Sequence, residues 1–231
     1  MIPVFNHGRT IAAVVENAQQ LNLPVIVVDD GSTDETHDRV RSLGGVRLLR
    51  HHCNLGKGAA LLTGMAEAAT FADWAISLDA DGQHHPADAI ELIRAIPAAK
   101  RPIVTGVRKQ MEGENVPWTS RFGRKFSNFW VALAGGSRLQ DTQSGFRIYP
   151  LPEVLDLKIK SRRYQFEVEI LIKAQWKMIP VVEAPVRVTY APGGVRVSHF
   201  RPFVDFVRNF RTFARLIVQR LFVPAHVRRR W

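Results

Sequence analysis

The sequence is poor in the features that mark secreted or membrane-spanning chains. It has one cysteine, Cys53, so no internal disulfide can form and a reducing, cytoplasmic setting is expected. No stretch offers the run of about eighteen apolar residues that a membrane span needs. Met1-Ile2-Pro3-Val4-Phe5 lacks the basic and long apolar regions of a secretory leader. There is no internal repeat and no low-complexity linker. Acids are also scarce: 21 Asp and Glu face 32 Lys and Arg, a net charge of +11. Such an excess favours nucleic acid, anionic lipid or phosphorylated ligands. It is unevenly spread, because Arg201, Arg208, Arg211, Arg215, Arg220, Arg228, Arg229 and Arg230 face a single late acid, Asp205.

With 231 residues, 46% of them hydrophobic, the chain suits one α/β domain with a short appendage. Strand and helix patterns alternate. Ile2 to Phe5 reads as the end of a buried strand. Thr10 is placed to cap a helix with apolar face Ile11, Val14, Val15, Ala18 and Leu21. Pro24 to Val28 is continuously apolar, as in a parallel strand covered on both faces. Ser32 and Glu35 have capping-box spacing. Val46 to Leu49, Trp74 to Leu78 and Ile103 to Val107 read as further strands. Helices are expected over Gly58 to Phe71 and after Pro86. This order implies a Rossmann-like doubly wound sheet, which binds ligands at the carboxyl ends of its strands. A strand opening at Met1 is short for a central position, so residues are expected to precede it in the natural chain.

Two acidic clusters fall at such strand ends. Asp79-Ala80-Asp81 sets two carboxylates at alternating positions, pointing the same way if the chain is extended. Their hard oxygens suit Mg²⁺ or Mn²⁺, and Gln83 offers another oxygen. The same residues would also serve as two solvated turn acids. Asp29-Asp30-Gly31-Ser32 has acids placed to accept hydrogen bonds from a ribose or base, or to form a turn and cap a helix. Asn54-Leu55-Gly56-Lys57-Gly58 is not a Walker loop, but glycines before a helix N-terminus make an anion-facing turn. Asp141 to Arg147 combines an acid, small polar residues, a glycine and an arginine able to grip phosphate bidentately. Before it, Arg121, Arg124 and Lys125 share an expected helix with Phe122, Phe126, Phe129 and Trp130.

Taken in order and spacing, these segments resemble family 2 glycosyltransferases of the GT-A fold. The segments are Ile2-Pro3-Val4-Phe5-Asn6, Val27 to Asp34, Asn54 to Gly58, Asp79 to Gln83, Asp141 to Arg147 and Phe166-Glu167-Val168-Glu169. Within that family they look most like polyprenyl-phosphate (dolichol-phosphate) mannosyl- and glucosyltransferases, over about residues 1–190. The resemblance implies a mixed sheet with helices on both faces, a UDP- or GDP-sugar donor and a divalent ion. Pro3 and Asp29 or Asp30 would lie against the nucleotide, with Lys57 also on the donor side. Asp79 would reach the nucleotide or the metal, and Asp81 and Gln83 would bind the metal. Arg121, Arg124 and Arg147 would hold phosphate of acceptor or donor, and Asp141 would lie near the acceptor. Three departures matter, the short front of the first strand being one. The Q-x-x-R-W signature of processive synthases is absent, and so are the spanning helices of many polyprenyl-phosphate enzymes.

The implied reaction inverts the anomeric carbon while the metal neutralises the leaving diphosphate. A lipid phosphate is already anionic and needs only arginines to place it. A sugar hydroxyl needs a base, for which Asp141 is the candidate. The sequence leaves both open.

The tail is expected to be separate, dividing the chain into 1–197 and 198–231. Phe200, Phe203, Val207, Phe210, Phe213, Ala214, Ile217 and Leu221 recur at helical spacing, opposite Arg201, Arg208, Arg215 and Gln219. That pattern fits a helix lying on an anionic membrane at its cytoplasmic face, or one packed on the domain. Tyr190 to Gly194 reads as a loop over the acceptor side, with His199 beside it. Two rival functions are weaker. A sugar-1-phosphate nucleotidyltransferase would carry a G-x-G-T-R-type loop where Pro3-Val4-Phe5-Asn6 stands. A nucleic-acid-binding protein would spread its basic residues along a groove, so no nucleic-acid partner is expected.

Overall fold

The computed structural model describes residues 1–108, 118–189 and 202–229, with the side chains of 118–122 and 202–204 excepted. Among these residues the chain forms seven strands and eight α-helices. The strands are β1 (Ile2–Val4), β2 (Val25–Asp29), β3 (Val46–Arg50), β4 (Trp74–Ser77), β5 (Ile103–Arg108), β6 (Arg147–Pro150) and β7 (Val181–Val186). The helices are α1 (Gly8–Gln19), α2 (Thr36–Arg41), α3 (Lys57–Ala68), α4 (Ala89–Arg94), α5 (Trp118–Leu133), α6 (Phe166–Trp176), α7 (Pro202–Phe222) and α8 (Ala225–Arg228).

Strands β1, β2 and β3 lie side by side and parallel, while β4, β6, β5 and β7 form a mixed group in which β6 runs antiparallel to both neighbours. The groups meet where Leu78 N donates to Met1 O at 3.0 Å. Alternation along β2 shows why its apolar run is unbroken. Val25 and Val27 pack with Ile11, Val14, Val15, Val40 and Leu92 of α1, α2 and α4. Ile26 and Val28 pack on the other side with Ala60, Leu61 and Met65 of α3 and Phe166 and Ile170 of α6. A strand covered on both faces has no polar side to present.

Two expected caps are used differently. The Thr10 hydroxyl donates to Ala80 O at 2.7 Å, tying α1 to the turn after β4 instead of capping α1. Ser32 and Glu35 form no capping box: the Ser32 hydroxyl accepts from Asn6 N at 3.0 Å, and Asp34 accepts from Thr36 N at 3.0 Å. In both cases the side chain bonds a neighbouring strand end, which local spacing does not reveal.

The expected division at residue 197 falls outside the described residues, but α7 beyond it packs on the domain. Phe213 and Leu216 are buried against Val131 of α5, Ala134 just after it, and Val168, Ile172 and Trp176 of α6. Arg215, assigned to a free basic face, points inward to Glu169 at 2.7 Å. The stripe therefore divides: Phe213 faces the core, whereas Phe210 and Leu221 are 51% and 72% exposed. Phe200 and the Phe203 side chain lie outside the described residues. Phe213→Ala should cost about 3–5 kcal/mol through the cavity it leaves, read as a lowered urea midpoint. Phe210→Ala should change stability by less than about 1 kcal/mol, because an exposed ring leaves no cavity.

Candidate active site

The site is assembled from loops at the strand ends, each fastened by buried polar groups. Asp30, at the end of β2, accepts from Leu55 N (3.0 Å), Gly56 N (2.7 Å) and His51 Nδ1 (2.7 Å). It thereby fixes the turn entering α3. Gly56 has a φ of 105°, and a Cβ there would lie 2.6 Å from Arg162 O, so only glycine fits. Asp29 accepts from Ser32 N at 2.8 Å and is buried beside His37 and Arg50. Both acids thus take the turn-building option open in the sequence. Pro3 is buried in β1 opposite Val28.

The turn held by Asp30 delivers Lys57. Its ammonium lies 2.7 Å from Asp79 Oδ1 and 2.5 Å from Glu167 Oε1. Burial alone would lower the lysine pKa, but the two carboxylates outweigh it and hold the group firmly charged. Burial raises the Asp79 pKa, but Lys57, His84 and Arg108 together outweigh it, leaving its carboxyl below the usual range. Gly145 backs the Asp79 carboxylate so closely that a Cβ would sit 2.4 Å from Oδ2. Asp81 is half-buried, with Oδ1 accepting from Gln83 N at 3.0 Å. His84 is buried against Phe146, with ring centroids 5.3 Å apart, and burial pushes its pKa down.

The loop carrying Gly145 is fixed from four elements. Asn128 of α5 accepts from Thr142 N (3.1 Å), and Ser127 accepts from the Thr142 hydroxyl (2.9 Å). Glu183 of β7 accepts from Gln140 N (2.7 Å). Arg147 of β6 is wholly buried and donates to Thr142 O and Glu167 O, both at 2.8 Å. Arg108 of β5 grips Asp141 bidentately, at 2.6 and 2.9 Å.

The residues present fit a divalent ion. Asp79 and Asp81 supply hard oxygens, and Asp79 already faces a cation, the Lys57 ammonium. Among the described residues no three His, Cys, Asp or Glu gather to hold a metal ion. One or two carboxylates are the usual protein share for Mg²⁺, which takes its other ligands from water and phosphate oxygens.

The profile of glycosyl transferase family 2 matches residues 1–150. The chain belongs to that family. The glycosyltransferase is 32% identical over 243 residues to a UDP-N-acetylglucosamine–dolichyl-phosphate N-acetylglucosaminyltransferase of Methanococcus voltae, covering 96% of this chain and 95% of that one. It is 27% identical over 211 residues to a dolichyl-phosphate beta-glucosyltransferase of Trichomonas vaginalis, covering 80% and 62%. In fold it is similar to Mycobacterium tuberculosis glucosyl-3-phosphoglycerate synthase solved with Mn²⁺, UDP and glucosyl-3-phosphoglycerate. The TM-score is 0.69 at 20% identity, over 96% of this chain and 79% of that one. The GT-A architecture expected from the sequence is thus the one observed.

The glycosyltransferase brings Lys57, Asp79, Gly145 and Glu167 together, with Asp81 and Gln83 on the same turn. Arg147 is not among the open groups: its guanidinium is committed to two backbone carbonyls. The Arg121 side chain lies outside the described residues, as do Tyr190 to Gly194 and His199. Arg124 is half-buried on α5, and its charge acts on Asp141. Sequence reading missed Arg108, Ser127, Asn128 and Glu183. It quoted Glu167 without giving it a partner. The one signal available was the FEVE segment, whose two acids stand in the first turn of a largely apolar helix.

Burial would raise the Asp141 pKa, but the hydrogen bonds and charge of Arg108 outweigh it, so the carboxyl is held below its ordinary value. Its folded pKa lies below the unfolded 3.8, so its contribution is present above that pH and is lost as pH falls through the folded value. Asp141→Ala should therefore destabilise by about 3 kcal/mol at neutral pH, as when one partner of a buried pair is removed. The gap between the urea midpoints of wild type and variant should narrow below pH 4 or so.

Proposed function

We propose that this enzyme takes a UDP- or GDP-sugar and transfers the sugar, with inversion, to a polyprenyl phosphate at an anionic, cytoplasmic membrane face. Asp79, Asp81 and Gln83 would hold Mg²⁺ or Mn²⁺ against the donor diphosphate. The observation carrying this reading is the Asp79–Asp81 turn at the strand ends, with Lys57 paired to Asp79 and the Arg108 charge also acting on it. When bound, the ion supplies charge neutralisation for the leaving diphosphate. Lys57 offers the same oxygens a fixed positive charge. Asp30 sets the turn that presents Lys57, and Pro3 and Asp29 shape the strand ends on the base side.

The acceptor is argued from Asp141. A buried carboxylate with both oxygens engaged by Arg108 and a depressed pKa is a poor general base. It is well suited to orienting an arginine. An acceptor phosphate needs no base, only positive charge to place it, which favours the lipid-phosphate version over a sugar hydroxyl. Two relatives, both named as dolichyl-phosphate transferases, support the same acceptor.

The membrane face is argued from α5 and α7 together. Phe126 meets Phe206 at 5.2 Å and Trp130 meets Phe210 at 6.3 Å, so the two helices share one aromatic ridge. Its outer rim, Phe129, Phe206, Phe210, Leu221 and Phe222, is exposed, with Lys125, Arg208 and Arg211 exposed beside it. Among the described residues no helix is long and apolar enough to cross a membrane. The ridge therefore supports peripheral attachment, in which apolar insertion and lipid charge add. On its inner side α5 holds the Asp141 loop through Ser127 and Asn128, which links lipid surface to acceptor site.

The test is a transfer screen with UDP- and GDP-sugars, offering polyprenyl phosphate or 3-phosphoglycerate, with and without EDTA. Transfer to polyprenyl phosphate is expected, lost in EDTA and in Asp81→Asn, with an unchanged melting temperature for the variant. Full activity in EDTA, or transfer to 3-phosphoglycerate alone, would refute the reading. For the membrane face, wild type should cosediment with phosphatidylglycerol liposomes at low salt, less so at high salt. The triple variant Phe129→Ser, Phe210→Ser, Leu221→Ser should lose most of that binding while keeping its stability. Equal binding by both proteins would remove the ridge from the proposal.

A further inference from the structure

Lys57 occupies the Oδ1 side of Asp79. Its ammonium is within ion-pair distance of Asp79 and Glu167 at once, 2.7 and 2.5 Å away. Asp79 has little room to turn away from it, because the Gly145 backbone lies against the carboxylate. The lysine backbone is equally constrained, since the preceding Gly56 amide is anchored on Asp30 and Ala59 N donates to Arg162 O at 2.8 Å. What remains free to move is the four-carbon stem of the side chain. Glu167, itself held at the start of α6 by the Arg147 contact to its carbonyl, can keep the ammonium nearby while Asp79 releases it.

We infer that Lys57 is a resident counter-cation that competes with the divalent ion for Asp79 and makes metal binding conditional on the nucleotide diphosphate. The inference rests on the metal and nucleotide-sugar reading of this site. A divalent ion approaching the Asp79–Asp81 turn alone meets an Asp79 whose Oδ1 is taken by the ammonium it shares with Glu167, and so meets a positive charge 2.7 Å from that oxygen. Whether the ion takes both carboxylates or Asp81 only, that charge repels it. A diphosphate changes the balance. Its oxygens give the ammonium a new partner, Asp79 is released, and the ion gains phosphate ligands as well as the freed carboxylate. The coupling is reciprocal, so the metal tightens the nucleotide by the same factor as the nucleotide tightens the metal. The arrangement keeps the ion out of a site holding no donor and needs no moving domain.

The test is Mn²⁺ binding to the full chain, followed by electron paramagnetic resonance of the free ion, alone and with UDP or GDP. The Mn²⁺–nucleotide complex formed in solution is subtracted. Wild type is expected to bind Mn²⁺ at least about tenfold more tightly with a nucleotide present, a typical coupling between sites. Lys57→Met is expected to bind Mn²⁺ alone about tenfold more tightly than wild type, with the nucleotide effect reduced by a similar factor. Its melting temperature should be lower without metal and should rise more on adding Mn²⁺. Unchanged or weaker Mn²⁺ affinity in folded Lys57→Met would overturn the inference and leave the site reading intact. Absence of Mn²⁺ binding by wild type even with UDP and GDP would overturn both. If Lys57→Met does not fold, Glu167→Gln serves instead. It leaves the ammonium wholly to Asp79 and should weaken nucleotide-free Mn²⁺ binding several-fold, whereas equal or tighter binding would overturn the inference.

Discussion

A lysine ammonium enclosed between two carboxylates is the interaction on which the site depends, because it joins three chain segments far apart in sequence. Lys57 comes from the start of α3, Asp79 from the end of β4 and Glu167 from the first turn of α6. A buried pair of this kind is costly to desolvate and is tolerated only when every partner is placed. The surrounding hydrogen bonds do that placing. Asp30 fixes the backbone before Lys57, Gly145 backs Asp79, and Arg147 binds the carbonyl of Glu167.

The fold serves this cluster by bringing strand ends together. Parallel β1, β2 and β3 carry the turns after Val4, Asp29 and Arg50 to one edge. Strands β4 and β5 bring Asp79 and Arg108 to the same edge beside them. The helices bury the sheet on both sides, so the strands cannot slide, and polar groups are confined to the tips. Within those tips most acids are engaged in structure. Asp29, Asp30 and Asp141 all accept hydrogen bonds from the chain's own backbone or arginines. Asp81 is half-buried, and its Oδ1 accepts from Gln83 N on its own turn.

The third packing cluster gives α7 two roles from one stripe. Phe213 and Leu216 bind it to α5 and α6, while Phe206, Phe210, Leu221 and Phe222 stay outside. Glu169 strengthens the junction by accepting from Ser161 as well as Arg215, so the helix is tied to the loop ahead of α6. A helix docked this firmly would transmit its position to the site through α5. The same helix holds Thr142 by Ser127 and Asn128.

The sequence by itself determined the layered α/β architecture and the ends of the strands where chemistry gathers, because continuous apolar runs and turn acids are local patterns. It also offered Asp79, Asp81 and Gln83 as a candidate metal turn, a reading carried by the ordered set of family motifs and not by the turn alone. Only the tertiary structure decided which charged groups remain available. Arg147 and Asp141 read alike as open functional groups, yet one is spent on carbonyls of residues 142 and 167 and the other on Arg108. The pairing of Lys57 with Glu167 spans 110 positions. No spacing rule reaches that far. Nor could helical periodicity divide the α7 stripe into a docked half and an exposed half, because it ranks faces by polarity and carries no information about which neighbour will cover them.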